Sequence, residues 1–116
     1  MKTKVLSRIV TGIALGALVS FAMPKVAQAQ DAGQKAFEAN KCNNCHSIDK
    51  LKIVRKIASE KMAGPDLSKV GEKHDAAWIT KWLMREVKIE DKTHKNEYKG
   101  TKEDLKTLSD WLAAMK

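Results

Sequence analysis

The sequence predicts a small all-α domain of three to five helices, and two observations carry this prediction. Apolar residues recur at helical spacing near residues 33, 80 and 108. Beyond a leader-like segment, residues 1–29, 87 residues remain (116 − 29), and they contain no internal repeat or glycine-rich linker that would mark a second domain. A chain of this size buries a modest core, so a large apolar group enclosed in it would also stabilise the fold.

The leader-like segment has the features of a secretory signal peptide. Three basic residues precede an apolar run over residues 9–23, and the segment ends in the small-residue pattern Ala27-Gln28-Ala29. We expect cleavage before Gln30, a mature domain over residues 30–116 without stable membrane insertion, and a location in a bacterial periplasm. The alternative is an uncleaved membrane anchor, for which the apolar run is short.

The chain is basic, and its charge bears on the choice of partner. The formal net charge is +8; residues 1–29 contribute four basic residues and no acidic ones, which leaves +4 (8 − 4) for residues 30–116. An exported chain is not expected to meet nucleic acid. We therefore expect an acidic protein partner, attracted by long-range charge.

Residues 31–40 predict the first helix, in which Gly33 and Phe37 lie four apart and share one face. This helix leads into the pentapeptide Cys42-Asn43-Asn44-Cys45-His46, the spacing that attaches a c-type haem. Each thiol adds to one haem vinyl group, and the adjacent imidazole coordinates the iron. The sequence therefore predicts one haem c, bound through both cysteines, with His46 as a metal ligand.

Two cysteines at this spacing could also form a disulfide, a thioredoxin-like redox pair or half of a zinc site. A zinc site needs two more ligands, and the remaining non-carboxylate candidates are His74 and His94, at a spacing unlike common zinc modules. A redox pair is expected between a strand and a helix in a βαβ setting, which the sequence does not indicate.

The next segment, residues 47–63, carries four apolar residues at helical spacing between basic ones. We expect these apolar residues to pack inward and the basic residues to face water. The four are Leu51, Val54, Ile57 and Ala58. Gly64-Pro65-Asp66-Leu67 then predicts a turn.

Two further helices follow. Residues 75–87 predict an amphipathic helix with Asp75 as its N-cap, and its Trp82 or Trp78 is expected to line the haem pocket. Thr101 and Asp104 resemble a capping box at the start of the C-terminal helix. The apolar stripe of that helix comprises Leu105, Leu108, Trp111, Leu112 and Met115.

The order of these elements resembles that of the class I, single-haem cytochrome c family. The elements are the helix with Gly33 and Phe37, the Cys-x-x-Cys-His motif, the Gly-Pro-x-Leu turn and the last two helices. The resemblance covers essentially all of residues 30–116. It implies a fold wrapped around one haem, and a Pro65 carbonyl that accepts a hydrogen bond from His46. It also implies crossed terminal helices, with Gly33 and Phe37 against Trp111.

The sixth iron ligand is where the sequence departs from the family pattern. Many members supply a methionine just before the C-terminal helix, but residues 92–101 contain none and contain His94 instead. We predict His94 as the second metal ligand. The alternatives are Lys95, Met62, Met84 and an open position. Because methionine ligation raises the potential of a haem, two histidines predict a low-potential protein.

The resulting function is that of a one-electron carrier, in which the cofactor supplies the redox chemistry and the protein supplies burial, ligation and orientation. No general base, nucleophile or substrate pocket can be read from the sequence, so we do not expect an enzyme. Two alternatives stay open: a binder or sensor of diatomic gases with an open iron position, and an electron-transfer subunit of a larger oxidoreductase that docks through the basic segment Lys50–Lys61.

Overall fold

The computed structural model describes Gly16 and residues 25–116, so nearly all of the predicted signal peptide lies outside the described residues. Three α-helices are present: α1 (Lys25–Ala39), α2 (Ala76–Leu83) and α3 (Lys102–Ala113). Between them lie four single-turn 3-10 helices: Cys42–Asn44, Asp49–Leu51, Glu60–Met62 and Val70–Glu72. Outside the helices, the described chain forms isolated β-bridges and no strand, so the all-α prediction is confirmed.

Helices α1 and α3 cross in close contact, and a missing side chain allows it. A Cβ built on Gly33 would lie 2.1 Å from Cγ of Trp111, so only glycine fits at this crossing. The rings of Phe37 and Trp111 pack with centroids 5.6 Å apart. The contact implied by the family resemblance is therefore confirmed.

Helix α3 begins and packs as predicted. The Thr101 hydroxyl accepts a hydrogen bond from the backbone N–H of Asp104 at 3.1 Å, which satisfies one free donor of the first turn. Its whole predicted apolar stripe is buried. Beyond the helix end, the carbonyl of Met115 accepts from the N–H of Gly71 at 2.7 Å, which ties the C-terminus to the middle of the chain.

Helix α2 packs on α3 and is shorter than predicted. Asp75 caps it, as expected, by accepting from the N–H of Trp78 at 2.8 Å. The helix ends at Leu83 rather than Val87, because Arg85 adopts a left-handed φ of 61°. This C-terminal conformation usually calls for glycine, and an arginine there gives no warning in the sequence.

The prediction for residues 47–63 is wrong, because three of the four apolar side chains expected to pack inward are exposed, namely those of Leu51, Val54 and Ala58. Leu51 is 40% exposed and Val54 is 77% exposed. Ile48 and Ile53 instead exchange backbone hydrogen bonds of 2.9 and 3.1 Å across a tight turn, and both are buried. β-Branched residues favour such extended pairing over helix.

The same segment is held against the haem-attachment motif by main-chain hydrogen bonds. Lys56 N–H donates to the carbonyl of Asn43 at 2.9 Å, and Ile57 N–H donates to that of Asn44 at 3.0 Å. Extended backbone is needed to reach both carbonyls.

No helix among the described residues is long and apolar enough to cross a membrane.

Candidate functional site

A cavity of about 710 Å³ opens between the Cys42–His46 segment, the Gly-Pro turn, α2 and the loop that precedes α3. All of the sequence-predicted site residues line it. They are Cys42, Cys45, His46, Pro65, Trp82 and His94. The structure therefore brings together residues up to 52 positions apart in the chain (94 − 42).

The two thiols stand on one tight turn at the cavity wall. The N–H groups of Cys45 and His46 both donate to the carbonyl of Cys42, at 3.2 and 3.0 Å. Neither cysteine is in a disulfide. Burial raises the pKa of the Cys42 thiol to about 11, although a backbone hydrogen bond opposes the shift. A redox dithiol depends on a lowered thiol pKa, so the raised pKa of Cys42 does not fit the thioredoxin-like redox pair.

His46 is oriented by the Gly-Pro turn. Its Nδ1 lies 2.8 Å from the carbonyl oxygen of Pro65. Because a carbonyl oxygen only accepts, Nδ1 carries the proton and Nε2 is left as a free donor of electrons to a metal. Burial lowers the pKa of His46, against the effect of the Pro65 hydrogen bond, and favours the neutral ring that coordination requires.

Gly64 leaves the space in which the His46 ring sits. A Cβ built on Gly64 would lie 2.2 Å from Cε1 of His46. Glycine at this position thus lets the turn approach the imidazole closely enough for the Pro65 hydrogen bond to form.

Asp66 fastens this turn to the segment after the haem motif. Its carboxylate accepts from Ser47 Oγ at 2.8 Å, from Asp49 N–H at 2.9 Å and from Ser68 N–H at 2.9 Å. Burial alone would raise the pKa of Asp66, but these hydrogen bonds outweigh it and hold the pKa well below its usual range. The charged carboxylate therefore fixes the position of Pro65 relative to His46.

His94 reaches the cavity on the loop that joins α2 to α3. The loop is closed at its base by a hydrogen bond from Tyr98 N–H to the carbonyl of Leu83, at 2.9 Å. It reverses direction at Glu90 and Asp91, whose φ values of 48° and 62° are both left-handed. Near its tip, Nδ1 of His94 lies 2.5 Å from the carbonyl oxygen of Asn96.

The His46 and His94 rings therefore occupy equivalent settings. Their centroids are 6.2 Å apart and their planes differ by 12°. Each Nδ1 is engaged by a main-chain carbonyl, and neither Nε2 has a hydrogen-bond partner among the described residues. Within the described ranges, no group of three or more His, Cys, Asp or Glu side chains could hold a metal ion by itself. Two thiols, two free imidazole nitrogens and a large cavity fit a covalently attached haem.

The other candidates for the sixth ligand have different surroundings. The Lys95 ammonium donates to the carbonyl of Lys61 at 3.1 Å and lies 3.3 Å from Sδ of Met62. Lys95 and Met62 therefore contact each other at the cavity wall. Met84 is not among the cavity-lining residues; it is partly buried and packs against the hydrophobic core.

Sequence reasoning missed the role of Asn96, since its backbone carbonyl orients His94 and any residue type could supply it. It also overlooked Tyr98, which lines the cavity. Burial and the charge of Asp104 raise the pKa of Tyr98. Its hydroxyl lies 3.3 Å from the carbonyl of Thr101. One indication for Tyr98 was present in the sequence: it is the one tyrosine of the chain and lies two residues before Gly100.

Comparison with known proteins gives one match. The family model described as Cytochrome c matches residues 30–116, the whole of the predicted mature domain. Searches of curated proteins and of solved structures returned no match.

We predict that Asp66→Asn makes stability less dependent on pH in the acid range. Since the pKa of Asp66 is lower in the folded than in the unfolded chain, its charge stabilises the fold at and above about pH 4, and this contribution fades as the pH falls further. The variant should lose about 1 kcal/mol of unfolding free energy at pH 7, the usual effect of a lost hydrogen bond, and less below pH 4.

Denaturant unfolding followed by circular dichroism between neutral and acid pH measures this difference. Glu72→Gln, at an exposed glutamate, controls for the loss of one negative charge. A loss for Asp66→Asn that stays constant across the acid range would contradict the role assigned to its carboxylate.

Proposed function

This chain belongs to the cytochrome c family, whose members bind haem c covalently and transfer electrons, and we propose that it is a low-potential one-electron carrier with His46 and His94 as axial ligands. The cysteines Cys42 and Cys45, followed by His46, fit the haem-attachment motif of the family. When bound, the haem supplies a one-electron redox couple.

The spacing of the two imidazoles is the observation that carries this proposal. A histidine nitrogen lies about 2.0–2.1 Å from a bound metal such as zinc, so two rings on opposite sides of one metal, with the ring radii added, have centres roughly 6 Å apart. The His46 and His94 centroids are 6.2 Å apart, in nearly parallel planes. Two rings in direct stacking contact would lie closer. The gap therefore has the size of one metal ion.

The protein's own part in the chemistry is to hold and orient both imidazoles. The carbonyls of Pro65 and Asn96 hold the Nδ1 protons, which makes each Nε2 a stronger donor. Two imidazole donors stabilise the oxidised metal more than one imidazole and a thioether do. This difference supports a low reduction potential.

The gas-binding alternative needs an open position opposite His46. The His94 ring, with its centroid 6.2 Å from that of His46 and its Nδ1 already bonded, supports a histidine ligand at that position, so we favour the electron carrier. The subunit alternative, with docking through Lys50–Lys61, stays a prediction.

A ring of positive charge around the cavity supports an acidic redox partner. Six exposed lysines line the cavity together with two acidic residues, Asp66 and Glu97. The lysines are Lys41, Lys61, Lys69, Lys73, Lys95 and Lys99. Such a surface would attract an acidic protein toward the side where the cofactor lies, and the attraction would weaken with salt.

We also propose export to a periplasm, based on the basic start, apolar run and Ala27-Gln28-Ala29 ending of residues 1–29. The expected cut would remove residues 25–29 from the start of α1. N-terminal sequencing of the protein purified from its native host should begin at Gln30. A sequence that begins at Met1 would indicate a retained leader.

The axial ligands are tested by His94→Ala. The oxidised wild-type protein should give a low-spin bis-imidazole electron paramagnetic resonance spectrum, and the variant a high-spin or ligand-exchanged one. His74→Ala is the matched control, because His74 also lines the cavity but its ring stacks on Trp78. In a redox titration, His94→Met should have a higher potential than the wild type.

Three results would contradict the assignment. Unchanged spectra in His94→Ala would exclude His94 as the ligand. A sulfur-to-iron charge-transfer band in the wild type would point to methionine, and a high-spin wild type would favour the gas binder.

The lysine ring is tested with small oxidants of opposite charge. Oxidation of the reduced protein by anionic ferricyanide should slow severalfold between about 0.01 and 0.15 M salt, while oxidation by cationic hexaammineruthenium should not slow. Lys73→Glu should slow the ferricyanide reaction more than Lys88→Glu. The second variant makes the same change of charge at a lysine that does not line the cavity. Equal effects of both variants would show that net charge, rather than this ring, controls the reaction.

A further inference from the structure

The indole of Trp82 contacts the His94 ring. The two ring centroids are 5.6 Å apart and the planes meet at 70°, an edge-to-face arrangement that aromatic rings prefer. Trp82 lies on the last turn of α2, whereas His94 lies on the loop that follows this helix. The contact forms because Leu83, the next residue, closes the loop by accepting from Tyr98 N–H.

The other contact on the His94 ring is not sufficient to fix its plane. The Asn96 carbonyl holds Nδ1, but a single hydrogen bond lets the ring tilt about that point. Asn96 is also exposed and belongs to the same loop as His94, so its carbonyl does not tie the ring to another element. A second contact from outside the loop is needed to set the ring at 12° to His46, and the Trp82 indole supplies one.

We propose that Trp82 is a positioning residue, which holds the His94 imidazole parallel to that of His46 and keeps it attached to the metal. This inference rests on the proposed His46 and His94 ligation. It differs from the expectation that Trp82 merely lines the haem pocket, because it assigns to the indole a specific effect on the sixth ligand.

Two measurable properties depend on this role. The angle between two axial imidazole planes controls the spread of the g values of a low-spin ferric haem, so a tilted His94 changes the spectrum without changing the ligand. An external ligand such as carbon monoxide must wait for His94 to leave the ferrous iron. Weaker attachment of His94 therefore speeds carbon monoxide binding.

The experiment compares haem-loaded Trp82→Leu, Trp82→Phe and Trp78→Leu with the wild type. Trp82→Leu keeps an apolar side chain but removes the aromatic edge-to-face contact, whereas Trp82→Phe keeps an aromatic ring. Trp78→Leu is the matched control: Trp78 lines the same cavity and packs 5.5 Å from Trp82, and its other aromatic contact is with His74 rather than His94.

We expect Trp82→Leu to remain low-spin with altered g values, and to bind carbon monoxide on the order of two to ten times faster, the effect of losing one aromatic pair. Trp82→Phe should restore most of the wild-type behaviour, and Trp78→Leu should change both properties less than Trp82→Leu does, because Trp78 reaches His94 only through Trp82. Unchanged g values and rates in Trp82→Leu would overturn the proposal, as would equal changes in Trp78→Leu.

Failure of this inference is distinguishable from failure of the proposed function. If the wild type lacks a bis-imidazole spectrum, the ligand assignment itself fails. If the wild type has that spectrum and His94→Ala abolishes it, while Trp82→Leu changes nothing, only the role of Trp82 is wrong.

Discussion

Two imidazole rings face each other across the cavity, and each is turned into place by a main-chain carbonyl. The Pro65 carbonyl orients His46, and the Asn96 carbonyl orients His94. Main-chain carbonyls are fixed by the backbone, so the ring orientations depend on two loops. Much of the remaining structure serves to hold those loops at the right separation.

The two loops are secured in different ways. The Gly-Pro turn is fastened by the charged Asp66 side chain and by the absence of a side chain on Gly64, which lets the turn approach His46. The His94 loop depends on main-chain closure between Leu83 and Tyr98, and on the left-handed turn at Glu90 and Asp91. The His94 loop is also held by side-chain hydrogen bonds from Arg85 to Thr93 and from Lys95 to the Lys61 carbonyl, and the Trp82 indole adds a contact on the His94 ring itself.

The sequence was informative where local chemistry decides the structure. The haem motif and the capping residues Asp75 and Thr101 are read from neighbouring residues, whereas the glycine at the α1–α3 crossing is implied by the family resemblance, and each is observed. The sequence indicates His94 as a ligand because the loop before α3 contains no methionine. The position of His94 opposite His46 could not be predicted in the same way, because it depends on a turn whose left-handed residues are a glutamate and an aspartate.

Residues 47–63 show the opposite case. Leu51 and Val54 have helical spacing with Ile57, but distant backbone partners decide this segment: Asn43 and Asn44 take its N–H groups. Hydrogen bonds of that kind do not depend on residue type and leave no pattern in the sequence. The early end of α2 has a similar origin, because a left-handed Arg85 turns the chain back toward the cavity.

In the proposed function, one iron is bound by two histidine nitrogens. Electron–nuclear double resonance on the oxidised, haem-loaded protein, labelled with nitrogen-15 in histidine alone, tests it most directly. Two strongly coupled nitrogen-15 nuclei, of nearly equal coupling, are the predicted result. A single coupled histidine nitrogen, beside a lysine nitrogen, a sulfur or no sixth ligand, would contradict the account.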